Sequence, residues 1–130
     1  ATLSVTPGME GSDRIYNFMD QRGRAWGARS EVIYKATAVM NEFFEAASEH
    51  GLTRGPIEMT VRFDEFNLDA DIVYRGKPIE FPDLRPDVRD LLEDEQAPLR
   101  LAGYMMRSMS DGVTAEESGD TARLHIHFVH

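Results

Sequence analysis

Between Val32 and Ala47 apolar residues return every three or four positions, at Val32, Ile33, Ala36, Val39, Met40, Phe43, Phe44 and Ala47. On a 3.6-residue period they form one stripe, which predicts a buried-face helix over Glu31–Glu49. Ser30 is placed to cap its start, and Gly51 to close its end in a left-handed conformation. A second helix is predicted over Ser12–Ala25, capped by Ser12 or Asp13, with Ile15, Phe18 and Met19 on one face and Gly27 as its stop. A third, Leu99–Met109, turns Leu101, Met105, Met106 and Met109 inward and Arg107 outward.

Elsewhere the pattern has period two. Ile57, Met59, Val61 and Phe63 alternate with polar residues, and Phe66, Leu68, Ala70, Ile72 and Tyr74 repeat the alternation after Asp64-Glu65, which predicts a β-hairpin. A second hairpin joins Gly112–Glu116 to Arg123–Val129 through the turn Glu117–Asp120, with Leu124, Ile126 and Phe128 inward. Thr2–Thr6 reads as a short edge strand stopped by Pro7-Gly8. From Phe81 to Pro98 the chain is polar and acidic, with a turn or two of helix at Asp87–Leu92, and reads as a lid-like loop. The order β-α-α-β-β-loop-α-β-β predicts an α+β two-layer sandwich, a mostly antiparallel sheet with its helices on one face.

At 130 residues the chain is expected to form one domain. A net charge of −9 without a basic run argues against nucleic-acid binding, which draws its affinity from clustered Lys and Arg. The absence of cysteine excludes disulfides, thiol catalysis and Cys-ligated zinc. With no long apolar run and no signal-peptide pattern, a cytoplasmic location without direct membrane insertion is expected. Because the chain opens at Ala1, a regulatory piece excised from a longer protein is also expected.

Three places carry candidate chemistry. Glu42, Glu45 and Glu49 form a carboxylate row along the edge of the central stripe, with Ala46 one turn beyond Glu42; a solvated face and a site rim both fit. Tyr74-Arg75-Gly76-Lys77-Pro78 breaks the second strand of the first hairpin. Leu99-Arg100-Leu101-Ala102-Gly103 opens the last helix.

In this order these segments resemble the Bergerat-fold ATPases of the gyrase and histidine-kinase superfamily, in particular the anti-sigma-factor serine-kinase branch. The resemblance covers almost the whole chain. It implies the histidine-kinase-like ATPase fold, with Glu42 at the general-base position and Ala46 where the family has a Mg²⁺-binding Asn, ahead of His50-Gly51. It places Tyr74 at the Asp that holds adenine, Gly76 at the glycine of that turn, and Leu99–Gly103 at the glycine-rich lid. The departures fall on residues the chemistry needs. Ala46 offers no oxygen to Mg²⁺. Tyr74 cannot act as a carboxylate acceptor, and its ring would fill the place of the base. Leu99, Arg100 and Ala102 add bulk where glycines let backbone N–H groups approach phosphates. The expectation is therefore a filled pocket, no catalytic residues, and neither ATP nor Mg²⁺ as cofactor.

Two functions follow. The first is a non-catalytic, pseudo-ATPase regulatory domain that binds a partner protein or another part of its own host chain. The alternative is a divergent ATP-binding serine-protein kinase or anti-sigma factor resting on Glu42. The resemblance also implies homodimers formed through the side bearing Thr2–Thr6. Separately, His125 and His127 project from one strand face, as do Asp69 and Asp71. As neighbours they could hold a divalent metal, or they could be the polar side of a half-solvated sheet. Met40, Met105, Met106 and Met109 fit core packing better than an adaptable binding surface.

Overall fold

The central helix predicted from the apolar stripe is α2, Ser30–His50, and it lies over a five-stranded antiparallel sheet. A computed structural model describes all residues 1–130. Before α2 come β1 (Thr2–Val5) and α1 (Gly11–Trp26); after it come β2 (Ile57–Phe63), β3 (Asn67–Arg75), α3 (Val88–Glu93), α4 (Ala97–Met109), β4 (Gly112–Ser118) and β5 (Thr121–Val129). The strand order is β1-β2-β3-β5-β4, so β1 and β4 are the edges.

Register explains why one face of the sheet is apolar. Met59, Ile72 and Leu124 stand side by side across β2, β3 and β5, as do Val61, Ala70 and Ile126 in the next row. Each is buried. The alternate positions, such as Arg62, Asp69 and His127, form a polar row on the opposite face. Helices cover only the apolar side: α1 touches β1 at one edge, α4 touches β4 at the other, and α2 reaches β5 between them. Val32, Ala36, Val39, Met40, Phe43, Phe44 and Ala47 of α2 all enter the core. At about 1.5–3 kcal/mol for each large apolar side chain buried, this stripe is a major source of the fold's stability. No helix is long and apolar enough to cross a membrane.

Several local expectations need correction. Ser30 is the first helical residue of α2, and Arg29 takes the cap position without a side-chain cap bond. Likewise α1 starts at Gly11 behind Glu10, so neither Ser12 nor Asp13 caps it. Gly51 closes α2 as expected, with φ 60°. Phe66 is 72% exposed and lies in the turn rather than in β3. The Asp64 carboxylate accepts the N–H groups of Phe66 and Asn67 there, an Asx turn that ends the alternation early.

The inward face of α4 also differs from its large-residue pattern. Ala97, Ala102, Gly103 and Met106 are its buried residues, while Leu101 and Met105 are half-buried. The cause is a close backbone approach. A Cβ on Gly103 would stand 1.7 Å from the Glu80 carbonyl oxygen, so the incoming segment rests directly on the helix. Gly→Ala in a helix interior ordinarily stabilises by about 1 kcal/mol. Here Gly103→Ala should instead destabilise by about 1–3 kcal/mol, the usual range for overpacking, read as a lower urea midpoint with unchanged slope.

Candidate functional site

The residues singled out around the expected nucleotide pocket come from three elements: α2, the end of β3, and α4. Glu42 is half-buried on α2, and Ala46 is buried one turn later. Burial, followed by repulsion from Glu45 and Glu49, raises the Glu42 carboxyl above its ordinary value. Tyr74 is 2% exposed, and its ring tilts against Phe43 of α2 at 5.1 Å between centroids. Its hydroxyl donates to the Lys77 carbonyl at 2.7 Å, and burial pushes the phenol pKa up. Thus Tyr74 is a core residue whose one polar atom is satisfied by the turn that follows it.

Gly76 is held in that turn with φ 152°, its N–H donating to the Asp120 carbonyl at 2.8 Å. A Cβ there would fall 2.3 Å from the Leu52 carbonyl oxygen. The glycine therefore serves a contact between this turn and the chain leaving α2.

Leu99, Arg100, Leu101, Ala102 and Gly103 all lie within α4, which starts at Ala97, rather than in a loop ahead of it. The helix expected from Leu99 to Met109 is thus present and starts two residues earlier. The start of α4 is already furnished with a carboxylate. Asp94 accepts the Gln96 N–H at 2.9 Å and pairs with Arg100 at 2.5 Å. Arg100, and then the Gln96 N–H, hold the Asp94 carboxyl below its usual range. Pro98 in the first turn contributes no N–H.

A cleft of about 410 Å³ lies open between the end of α2, the turn after β3 and the start of α4. Its walls are His50, Gly51 and Leu52, the segment Lys77–Glu80, and Gln96, Leu99 and Arg100. Of the residues singled out from the sequence only Leu99 and Arg100 line it; Glu42, Ala46, Tyr74, Gly76, Leu101, Ala102 and Gly103 do not. His50, Lys77 and Gln96 were missed as wall residues. His50 and Lys77 stand inside quoted motifs, His50-Gly51 and Tyr74–Pro78, which was the available signal, whereas nothing in the pattern marked Gln96.

On the opposite sheet face, β3 and β5 do bring the His/Asp set together. Asp69 faces His127 and Asp71 faces His125 in register. His125 Nδ1 lies 2.8 Å from Asp71 and its Nε2 3.2 Å from Asp69, while His127 Nδ1 lies 2.9 Å from Asp69. Arg62 closes on Asp71 at 2.6 Å. The carboxylates are thus engaged by imidazole and guanidinium groups, and no cluster of three or more side chains is arranged to hold a metal ion. Burial tends to raise the Asp71 carboxyl, but the bonds from His125 and Arg62 outweigh it and hold the carboxyl below its ordinary value.

The architecture matches solved structures across 98% of this chain. One contains the RsbU and RsbW domains of Rv1364c from Mycobacterium tuberculosis, with TM-score 0.63 and 12% identity. This chain spans 32% of that one. Another is the Acinetobacter baumannii histidine kinase AdeS, with TM-score 0.51 and 9% identity, of which this chain covers 67%. This is the Bergerat fold. No protein-family model and no curated protein sequence matches the chain. At such identities the Bergerat likeness establishes architecture, and site chemistry must come from the residues themselves.

The two perturbed carboxylates give opposite pH dependences. Glu42 binds its proton more tightly when folded, so it costs stability above its folded pKa, and the cost disappears as pH falls below the unfolded value near 4.5. Glu42→Gln should therefore raise the melting temperature at pH 7 and leave it unchanged near pH 4. Asp71 is depressed, so its contribution is present above the unfolded value near 3.8 and is lost as pH falls through the folded one. Asp71→Asn should lower the melting temperature at pH 7, with the difference shrinking toward pH 3. Thermal scans by circular dichroism across pH 3–8 check both signs.

Proposed function

We propose that this chain is a non-catalytic Bergerat-fold regulatory domain of the anti-sigma-factor-kinase type, acting by binding a protein partner or another region of its host chain. The observation that carries the reading is Tyr74, whose buried ring is locked between Phe43 and the Lys77 carbonyl at the position the resemblance gives to the adenine-binding Asp. Two further features support it. Ala46 presents a methyl group where an Mg²⁺ ligand would be required. The Asp94 carboxylate occupies the start of α4, where a phosphate would otherwise meet unpaired N–H groups, and would repel it. These residues do not fit a Mg²⁺–nucleotide, and no catalytic step is assigned through one.

A divergent ATP-binding serine-protein kinase is the second reading. The open cleft with Lys77, Arg100 and His50 on its walls favours it, together with the raised carboxyl of Glu42. Against it, Glu42 does not line that cleft, and a base without a positioned substrate is not an active site.

Calorimetric titration with millimolar ATP and Mg²⁺ separates the readings. We expect no saturable heat. A Kd below about 100 µM, more than roughly 5 kcal/mol of binding, overturns the non-catalytic reading. Ala46→Asn alone should not create binding, because Tyr74 and Asp94 would remain in place. The open edge β1 further suggests a homodimer built through that side of the sheet. Sedimentation at high concentration should show a species of twice 14.7 kDa, and a single 14.7 kDa species would refute the dimer.

A further inference from the structure

From Glu80 to Glu95 the chain carries seven carboxylates against two arginines, a net charge of −5 in a chain of −9. The same stretch displays Leu84, Val88 and Leu92 at 83%, 73% and 82% exposure. Val88 and Leu92 are four apart on α3 and so share a side of it, while Leu84 lies in the bend ahead of the helix. Only Leu91 of α3 is half-buried; every other residue of the helix is exposed.

The stretch is nevertheless anchored at both ends. Arg107 donates to the Phe81 carbonyl at 3.0 Å and pairs with Asp83 at 2.7 Å. Arg100 holds Asp94 at the other end. Between these pins the Asp87–Asp90 capping box fixes the start of α3. The result is a positioned strap with three aliphatic side chains exposed among carboxylates. Arg89 and Glu93 pair across one turn, but Asp87, Asp90 and Glu95 have no cationic partner.

We propose that residues 80–95 are the docking strap of this domain for a partner protein whose surface sets lysines and arginines around an apolar groove. This rests on the reading of the domain as a partner-binding module and names the surface and the partner chemistry. Charge decides among occupants. Nucleic acid and anionic lipid would be repelled by the carboxylates. A second copy offers no free basic groove: in its cleft beside α4 Arg100 is already held by Asp94 and Lys77 is joined by Glu80, and its groove between α1 and α2, about 520 Å³, has Asp20 and Arg24 as its only charged residues. Those two neutralise each other at 3.2 Å. A basic apolar groove satisfies both features of the strap, the aliphatic side chains by burial and the carboxylates by opposite charge.

The test uses the full chain, ¹⁵N-labelled, and three synthetic peptides of equal length: an amphipathic Leu/Lys helix, its Leu/Glu counterpart, and a non-amphipathic Leu/Lys shuffle. The Leu/Lys helix should bind, with amide shift changes confined to the strap and to the flanking Arg100 and Arg107. Leu84→Ser, Val88→Ser and Leu92→Ser together should weaken it about tenfold or more, as for loss of a buried hot spot, with unchanged circular dichroism. Glu80→Gln, Glu93→Gln and Glu95→Gln together should weaken it and flatten its salt dependence. Equal binding by the serine variant, by the shuffle or by the Leu/Glu peptide overturns the proposal, as do shift changes centred elsewhere. A change in sedimentation of the serine variant would make a second copy the occupant and overturn it too. Saturable ATP binding would instead overturn the regulatory reading and leave the strap result standing.

Discussion

Burial of the α2 stripe against the sheet is the contact on which the rest of the molecule depends. Phe43 and Phe44 pack into the same core as Met59, Ile72 and Leu124, the residues that stand abreast across three strands. Because side chains alternate along every strand, committing this face to α2 commits the alternate positions to the far side. The His/Asp/Arg row of the open face is thus a consequence of the core. So is the position of the cleft, which forms where α2 ends at Gly51 and the turn after Tyr74 passes beneath it.

The cleft also illustrates how one sequence feature can serve a different purpose from the one its place in a motif implies. In the resemblance Gly76 matches the glycine of the adenine-binding turn and Gly103 falls in the glycine-rich lid segment. In this chain each gives up its side-chain space to the protein itself, Gly76 to the Leu52 carbonyl and Gly103 to the Glu80 carbonyl. Asp94 behaves in the same way at the start of α4, supplying from within the chain the negative charge that a helix N-terminus favours. Together with the Tyr74 hydroxyl bond to Lys77, these contacts satisfy the corner between α2, the turn after β3 and α4 from within the chain. The open cleft lies among His50, Lys77 and Gln96.

Charge is divided by location. On the open sheet face, Asp69 and Asp71 are matched by His125, His127 and Arg62. On the strap, carboxylates outnumber arginines and accompany exposed aliphatic side chains. Carboxylates bonded within a half-buried row hold a surface together, whereas carboxylates without partners beside exposed leucines favour a complementary surface.

Much of the fold was legible in the sequence because it is written in periods. The 3.6-residue stripe of α2 and the two-residue alternation of β2, β3 and β5 each specify both an element and its buried face, whereas the pairing of β3 with β5 rather than with β4 was decided only in the packed sheet. The polar set Asp69, Asp71, His125 and His127 was legible for the same reason, since alternation alone puts all four on one face. The details that fix the candidate site were not. Helix starts at Gly11 and Ser30 carry no side-chain cap, so no residue announced them. The buried face of α4 is set by Ala102 and Gly103, whose small size gives no hydrophobic signal, yet lets the Glu80 backbone lie against the helix. Tyr74 could be recognised as a departure, but only packing decided that its ring rests on Phe43 and its hydroxyl on Lys77. Periodicity reports which face of an element avoids water. Which backbone atoms then come close enough to exclude a ligand depends on contacts between distant segments, and those exist only once the elements have packed.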